Sequence, residues 1–231
     1  KSFPAYIFLL DLFSRVTVND EDKKSILKLL ETFMLRRHIC EYRTGELDDI
    51  FSKLVELQNE NIVEDVKTSL KKDLPTDEEF QSKFKHANFK GNENRAKYIL
   101  EKYEYRLMGD TGELEINSGR DVHLEHIIPK TIFTKKSKNE YGDWEAYLGE
   151  ESQYHKQFVN LIGNFTLLGQ KLNIVASNNP FEDKLEEYRK SAINLTKKIV
   201  VSYDEFRSKE VYERCEDFAE KAADFWNFNE S

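Results

Sequence analysis

The stretch of sequence that decides the fold is His123-Leu124-Glu125-His126-Ile127-Ile128-Pro129. Its β-branched residues, bounded by Ser118-Gly119 before and by Pro129 after, predict a short strand over residues 122–127. Residues 161–168, which contain a Gly-Asn turn, predict a second short strand. We expect the two strands to pair antiparallel, with the Glu125-His126 dipeptide at the end of the first.

The adjacent Glu125 and His126 suit the hydrolysis of a phosphodiester. A histidine near its ordinary pKa of roughly 6.5 accepts a proton from water at cellular pH. A hard divalent cation held by oxygen ligands stabilises charge on the phosphoryl oxygens, and Mg²⁺ needs few protein ligands. Glu125 offers one oxygen ligand, and Asn173, nine positions beyond Asn164, can offer a second from the facing element. The pattern therefore indicates a single-metal nuclease.

Apolar residues recur at helical spacing through most of the remaining chain. Ile26, Leu29 and Phe33, for example, follow the pattern of one face of an amphipathic helix. A long helix is expected from Phe181 to Ile199, and Lys90-Gly91-Asn92 is the expected boundary between two parts of the chain. The predicted fold class is mainly α with a small antiparallel β hairpin, in which helices surround the two strands.

The charge and the cysteine content of the chain indicate where the protein is located and whether it binds nucleic acid. The chain has 231 residues, a net charge of −8 and two widely separated cysteines, Cys40 and Cys215. We expect free thiols, a cytoplasmic location and no membrane span, because no apolar run is long enough. The net charge has the wrong sign for a nucleic-acid enzyme. Lysines just after the motif could still contact phosphates, or form a solvated face: Lys130, Lys135, Lys136 and Lys138.

The motifs taken together resemble the C-terminal domain of GmrSD-type (SspE-like) modification-dependent restriction proteins. That domain belongs to the His-Me finger (HNH, ββα-metal) superfamily. The resemblance implies a helical connector over residues 1–90 and an HNH-like nuclease domain with C-terminal helices over residues 91–231. The residues that carry it are His123 to Pro129, Asn164 with its neighbours, Asn173, and the spacing Phe181-x-x-Lys184-x-x-x-Tyr188-x-x-Ser191.

Roles for single residues follow from the resemblance. It implies that His126 is the general base, that Glu125 and Asn173 are metal ligands, and that Asn164 completes the catalytic set by bracing the loop or orienting the histidine. The implied cofactor is Mg²⁺, with Mn²⁺ as a substitute. The implied partners are DNA, in particular modified phage DNA, and a nucleotide-hydrolysing sensor domain that precedes this region in a longer polypeptide. Either nicking or double-strand cleavage fits, within a bacterial antiviral restriction system.

Other interpretations stay open at the level of sequence. The chain could be a non-catalytic module that binds DNA or a partner, or a toxin nuclease directed at RNA. Asn164 alone could be a turn residue and Asn173 alone a helix cap. His123 could be a third ligand, a phosphate contact or a packing residue. His155 is expected on a solvated helix, and the Arg36-Arg37 pair at DNA or at the fused domain.

Overall fold

Helices account for most of the described residues, with one pair of strands among them. The computed structural model describes residues 3–57, 61–109 and 121–229. The elements in chain order are α1 (Phe3–Ser14), α2 (Asp20–Ile39), α3 (Leu47–Val55), α4 (Ile62–Lys71), α5 (Asp77–His86), α6 (Glu93–Met108), β1 (Val122–His126), α7 (Lys135–Tyr141), α8 (Trp144–Leu148), α9 (His155–Phe158), β2 (Phe165–Gly169), α10 (Gln170–Ala176), α11 (Phe181–Arg189), α12 (Asn194–Ser202) and α13 (Ser208–Phe225).

The two strands form an antiparallel pair, which confirms the predicted fold class. His126 lies opposite Phe165, and Glu125 lies opposite Thr166. The second strand is shorter than predicted, because Ile162–Asn164 forms a 3-10 turn ahead of it. The Ser118-Gly119 pair that bounded the predicted first strand lies outside the described residues.

Three helices pack against the strands and position them. α10 begins at the residue that follows β2, whereas α7, α8 and α9 lie between β1 and β2 in the sequence. α6 and α10 each pack against both strands, and α12 packs against β2. Apolar side chains from the sheet, including Leu167 and Leu168, are fully buried in this arrangement. The sheet therefore holds the end of β1 in place through packing on several helices.

The chain divides into two compact units, one of Lys1–Phe84 with Glu220–Ser231 and one of Lys85–Ala219. The first has its own core, in which Phe8 and Phe51 pack together at 6.4 Å between ring centroids. Every predicted site residue lies in the second unit. The assignment of residues 1–90 as a connector stays a prediction. Within the described ranges, no helix is long and apolar enough to cross a bilayer.

The single long helix predicted from Phe181 to Ile199 is wrong, because α11 ends at Arg189 and α12 begins at Asn194. Between them the Ser191 hydroxyl oxygen accepts a hydrogen bond from the backbone N–H of Ile193 at 3.1 Å. A serine side chain that bonds its neighbouring backbone competes with helical hydrogen bonding. The apolar spacing persists across this break, so the periodicity alone did not reveal it.

The sequence placed Arg36 and Arg37 at DNA or at the fused domain. The structure supports neither position, because both side chains are buried inside the first unit. Arg36 pairs with Asp77 and also donates to the carbonyl oxygens of Pro75 and Trp226. Arg37 pairs with Glu46 at 2.6 Å. A guanidinium has five donors and is therefore suited to tying several backbone carbonyls together. The two arginines therefore stabilise the helical unit from within.

Candidate active site

The last residue of β1, His126, has an unsatisfied ring nitrogen. Its ring meets the ring of Phe165 edge to face, with centroids 4.6 Å apart. The Nε2 atom is buried and has no hydrogen-bond partner among the described residues. Buried polar atoms are nearly always hydrogen-bonded, so an orphaned one marks a candidate functional position.

The basicity of His126 differs from the sequence-based expectation of a pKa near 6.5. Burial, followed by the cationic Lys130 and Lys184, lowers the pKa of His126 to about 3, while hydrogen bonding by the Asn160 side chain raises it. The imidazole is therefore neutral at cellular pH and keeps a lone pair that can accept a proton. The proximity of Lys130 was expected from its position just after the motif, but that of Lys184 was not.

Glu125, the other half of the dipeptide, is buried in an ion pair. Its Oε1 atom accepts a hydrogen bond from Lys184 Nζ at 2.6 Å and another from the Tyr188 hydroxyl at 3.1 Å. Lys184 Nζ also donates to the backbone carbonyl of His126 at 2.7 Å. Lys184 is 0% exposed and Glu125 6% exposed. One ammonium thus contacts both residues of the dipeptide.

Burial and pairing act in opposite directions on these groups. Burial raises the pKa of Glu125 and lowers the pKa of Lys184, because each loses the water that stabilised its charged form. Their mutual attraction opposes both shifts. Burial also raises the pKa of Tyr188, which therefore remains a hydroxyl donor.

Lys184 and Tyr188 contact the site although neither was predicted as a site residue, and a sequence signal for them was present. The two residues are four apart on α11 and share a face with Phe181 and Leu185, all of them buried. A lysine at a position of the apolar stripe is uncommon unless it is paired. That position indicates a buried partner without identifying which carboxylate it is.

Asn164 lies in the 3-10 turn before β2 and is 0% exposed. Its Oδ1 accepts from the backbone N–H of Ile128 at 2.9 Å, and its Nδ2 donates to the carbonyls of Ile128 and Val159, each at 2.9 Å. Its own carbonyl accepts from the N–H of Ile127 at 3.0 Å. These bonds make Asn164 a positioning residue, which fixes the chain directly after His126.

Asn173 lies on α10, the helix that packs against both strands. Its Oδ1 atom is buried and lacks a hydrogen-bond partner within the described part of the chain. A carboxamide oxygen of this kind is a suitable ligand for a hard cation. The described residues contain no cluster of three or more His, Cys, Asp or Glu that could hold a metal. The carboxylate of Glu125 and the carboxamide of Asn173 have the oxygen donors that a hard divalent cation takes.

His123 lies two residues before Glu125 on β1, opposite Leu168. Side chains two apart on a strand point to the same side, so His123 and Glu125 share a face. His123 is half-buried and has contacts of its own. Its role as a third ligand or a phosphate contact stays a prediction.

The four lysines after the motif, which we call the lysine strip (Lys130, Lys135, Lys136 and Lys138), are mostly paired with carboxylates. Lys130 bonds Glu93 at 2.8 Å, and Lys138 bonds Glu145 at 2.5 Å. Lys136 lies 3.9 Å from Glu140, and Lys135 is exposed on the first turn of α7. Ion pairs at the surface are weak, so DNA phosphates could replace these carboxylates. The phosphate contacts stay a prediction.

The expectation that His155 lies on a solvated helix is wrong, because the side chain is 3% exposed. Its Nε2 atom lies 2.8 Å from the carbonyl oxygen of Pro129, and burial lowers the pKa of the ring. A neutral imidazole with its proton on Nε2 donates this bond. His155 therefore supports the end of the motif, just as Asn164 supports its middle.

Comparison with known proteins identifies the family of the chain. The family model for the C-terminal domain of GmrSD restriction endonucleases matches residues 74–221, which is more than half of the chain. No curated protein and no solved structure matches. The matched region contains β1, β2, α10, α11 and every residue of the site. The chain belongs to the family of GmrSD restriction endonucleases and contains their C-terminal domain.

Proposed function

We propose that this domain is a metal-dependent DNA endonuclease of the HNH (His-Me finger) type. The observation that carries the proposal is the presence of two orphaned side-chain atoms, one at the end of β1 and one on α10, a helix that packs against β1. His126 Nε2 and Asn173 Oδ1 are both buried without hydrogen-bond partners in the described structure, and Glu125 adjoins His126. A proton acceptor and oxygen ligands are the groups that metal-assisted phosphodiester hydrolysis requires.

In this proposal His126 acts as general base at Nε2. The neutral imidazole accepts the proton of a water molecule that attacks the phosphorus in line with the leaving oxygen. Asn164 and His155 hold the backbone on the C-terminal side of His126, so the ring keeps its direction during the reaction. Glu125 and Asn173 would hold a Mg²⁺ ion, for which Mn²⁺ can substitute. Such an ion, when bound, stabilises the charge that develops on the phosphoryl oxygens.

The biological setting is part of the proposal. The family suggests a bacterial antiviral restriction system that acts in the cytoplasm on modified phage DNA, with a nucleotide-hydrolysing sensor domain in the same polypeptide. The net charge is −8, and the lysine strip is mostly paired with carboxylates, so this domain offers few unpaired cations to phosphates. Both features support a protein in which one domain cleaves DNA and another binds it. Most of the affinity for DNA would then come from that sensor domain.

Cleavage of supercoiled plasmid DNA tests the proposal directly. The protein is incubated with plasmid and Mg²⁺ or Mn²⁺, beside His126→Ala and a control, His86→Ala, which removes an exposed histidine from the end of α5. Loss of a positioned base typically lowers the rate by roughly 10² to 10⁴. His126→Ala should lose cleavage to that extent, and His86→Ala should match the parent. Equal rates for His126→Ala and parent would overturn the mechanism.

The same assay separates the competing functions. Cleavage of RNA at a rate above that of DNA would favour the toxin nuclease. Binding of DNA without cleavage, with either metal and with modified or unmodified plasmid, would favour a non-catalytic module. Relaxed circles as the first product would indicate nicking, and linear molecules would indicate cleavage of both strands.

A further inference from the structure

The ammonium of Lys184 changes the electrostatic balance of the candidate metal site. Lys184 Nζ lies 2.6 Å from Glu125 Oε1, and both side chains are buried. Two opposite charges at this distance, screened little by water, cancel each other for a third ion nearby. The carboxamide of Asn173 is neutral and adds no charge. The proposed ligands together with Lys184 therefore carry no net charge.

A site without net charge is a poor receptor for a free divalent cation. The ion would have to give up water ligands, and an ammonium fixed beside the carboxylate would repel it. A DNA phosphate placed at the site brings the missing negative charge and another oxygen ligand. The charge that Lys184 removes is thus restored only when the substrate is bound.

We propose that Lys184 couples metal binding to DNA binding: the free domain holds a divalent ion weakly, and DNA supplies the charge that holds it. This inference rests on the proposed function and deepens it. Lys184 is then a positioning residue with two effects. It fixes the Glu125 carboxylate and the His126 carbonyl before the ion arrives, and it keeps the ion from binding before the DNA.

Tyr188 provides the control that separates these two effects. Its hydroxyl bonds the same Oε1 atom at 3.1 Å but carries no charge. Tyr188→Phe therefore loosens the carboxylate and leaves the charge balance as it is. Lys184→Met removes the charge and both of its bonds, and Lys184→Gln removes the charge while keeping a hydrogen-bond donor.

Binding of Mn²⁺, followed by electron paramagnetic resonance, measures the coupling without relying on cleavage. All proteins in this experiment carry His126→Ala, so that DNA remains intact, and the His126→Ala protein serves as the parent. Each protein is titrated with Mn²⁺ in the presence and in the absence of a short DNA duplex. DNA should tighten Mn²⁺ binding to the parent by at least about 10-fold, as expected for one added charge at a poorly hydrated site. Lys184→Met and Lys184→Gln should bind Mn²⁺ at least about 10-fold more tightly than the parent without DNA. Tyr188→Phe, which leaves the charge balance as it is, should not bind Mn²⁺ more tightly than the parent.

Each outcome decides one of the two proposals. If DNA does not change the Mn²⁺ affinity of the parent, the proposed coupling is wrong. This comparison uses the parent alone, so it does not depend on the folding of any Lys184 variant. If Lys184→Gln is folded by circular dichroism yet binds Mn²⁺ no more tightly, the role of Lys184 is wrong. Absence of Mn²⁺ binding to the parent even with DNA would instead overturn the metal-dependent function itself.

Discussion

Two asparagines nine positions apart, Asn164 and Asn173, occupy opposite kinds of environment in the same unit. Asn164 is fully buried, and its amide makes three hydrogen bonds to backbone groups of Ile128 and Val159. Asn173 is half-buried, and its Oδ1 has no partner in the described structure. A satisfied amide stabilises the loop around it, whereas an unsatisfied oxygen costs stability and is available to a ligand.

Under the proposed function, one stretch of sequence therefore contains both supporting and reacting groups. Asn164 belongs with Gly163 and His155, whose contacts hold the chain around His126. Asn173 belongs with His126, whose Nε2 is also orphaned. Substitutions in the first set should act mainly on the free energy of unfolding, and substitutions in the second set mainly on metal binding and cleavage.

The largest effect on stability is expected for Gly163→Ala. A Cβ atom at this position would overlap the carbonyl oxygen of Val211 on α13 and would lie 2.9 Å from Cys215 Sγ. Backbone atoms of a helix cannot move aside cheaply, so we expect the free energy of unfolding to fall by more than about 3 kcal/mol. Urea denaturation measures it, with Gly45→Ala as the control, because nothing lies within 4 Å of a Cβ there. A loss below about 1 kcal/mol would mean that α13 is not packed tightly on this turn.

A smaller loss of stability is expected for Asn164→Ala. The change leaves the N–H and C=O of Ile128 and the carbonyl of Val159 without their side-chain partner. Unsatisfied buried groups of this kind cost about 2–3 kcal/mol in total, measured again by urea denaturation. The control Asn139→Ala removes an exposed asparagine and should leave stability unchanged. If Asn164→Ala keeps parental stability but loses cleavage, Asn164 takes part in the reaction and is not a supporting residue.

For Asn173→Ala we expect almost no change in the free energy of unfolding. The lost Oδ1 has no partner in the described residues, so its removal breaks no bond made by that atom. Mn²⁺ affinity in the presence of DNA should fall by about 10- to 100-fold or more, as is typical for groups that support a metal site. Calorimetric titration measures this affinity. A destabilised protein with unchanged Mn²⁺ affinity would show that Asn173 is a helix residue and nothing more.

The smallest effect is expected for Lys135→Ala on the lysine strip. Stability and Mn²⁺ affinity should stay at parental values because Lys135 is exposed on α7. If the side chain contacts a phosphate, the slope of log affinity for DNA against log salt should decrease by about 0.9. Fluorescence anisotropy over a range of salt concentrations measures the slope. An unchanged slope would assign Lys135 to the solvated surface.

Local composition was sufficient to predict the strands but not the environment of the site. Gly, Pro and β-branched residues placed β1 near its observed bounds, and apolar spacing located most of the helices. The pairing of Glu125 with Lys184 joins residues 59 positions apart, and no local pattern specifies such a contact. The only sequence signal of this ion pair was a lysine within the apolar face of α11.

Buried charged and polar side chains account for most of the remaining errors. Arg36, Arg37 and His155 belong to residue types that are usually exposed, so the sequence placed them at the surface. Each is buried because it bonds backbone carbonyls that the fold brings within reach. Such carbonyls become available only through tertiary packing, and the sequence of the partner segment does not mark them.

The burial of both thiols has a consequence for optical experiments on this protein. Cys40 is 6% exposed and Cys215 is 0% exposed, and burial raises their pKa values to about 12 and about 11. Thiols held in the protonated form and away from water react slowly with maleimides. A cysteine introduced at Lys135 would therefore be the single fast-reacting thiol of the chain, and a fluorophore attached there could report the approach of DNA without removal of either native cysteine.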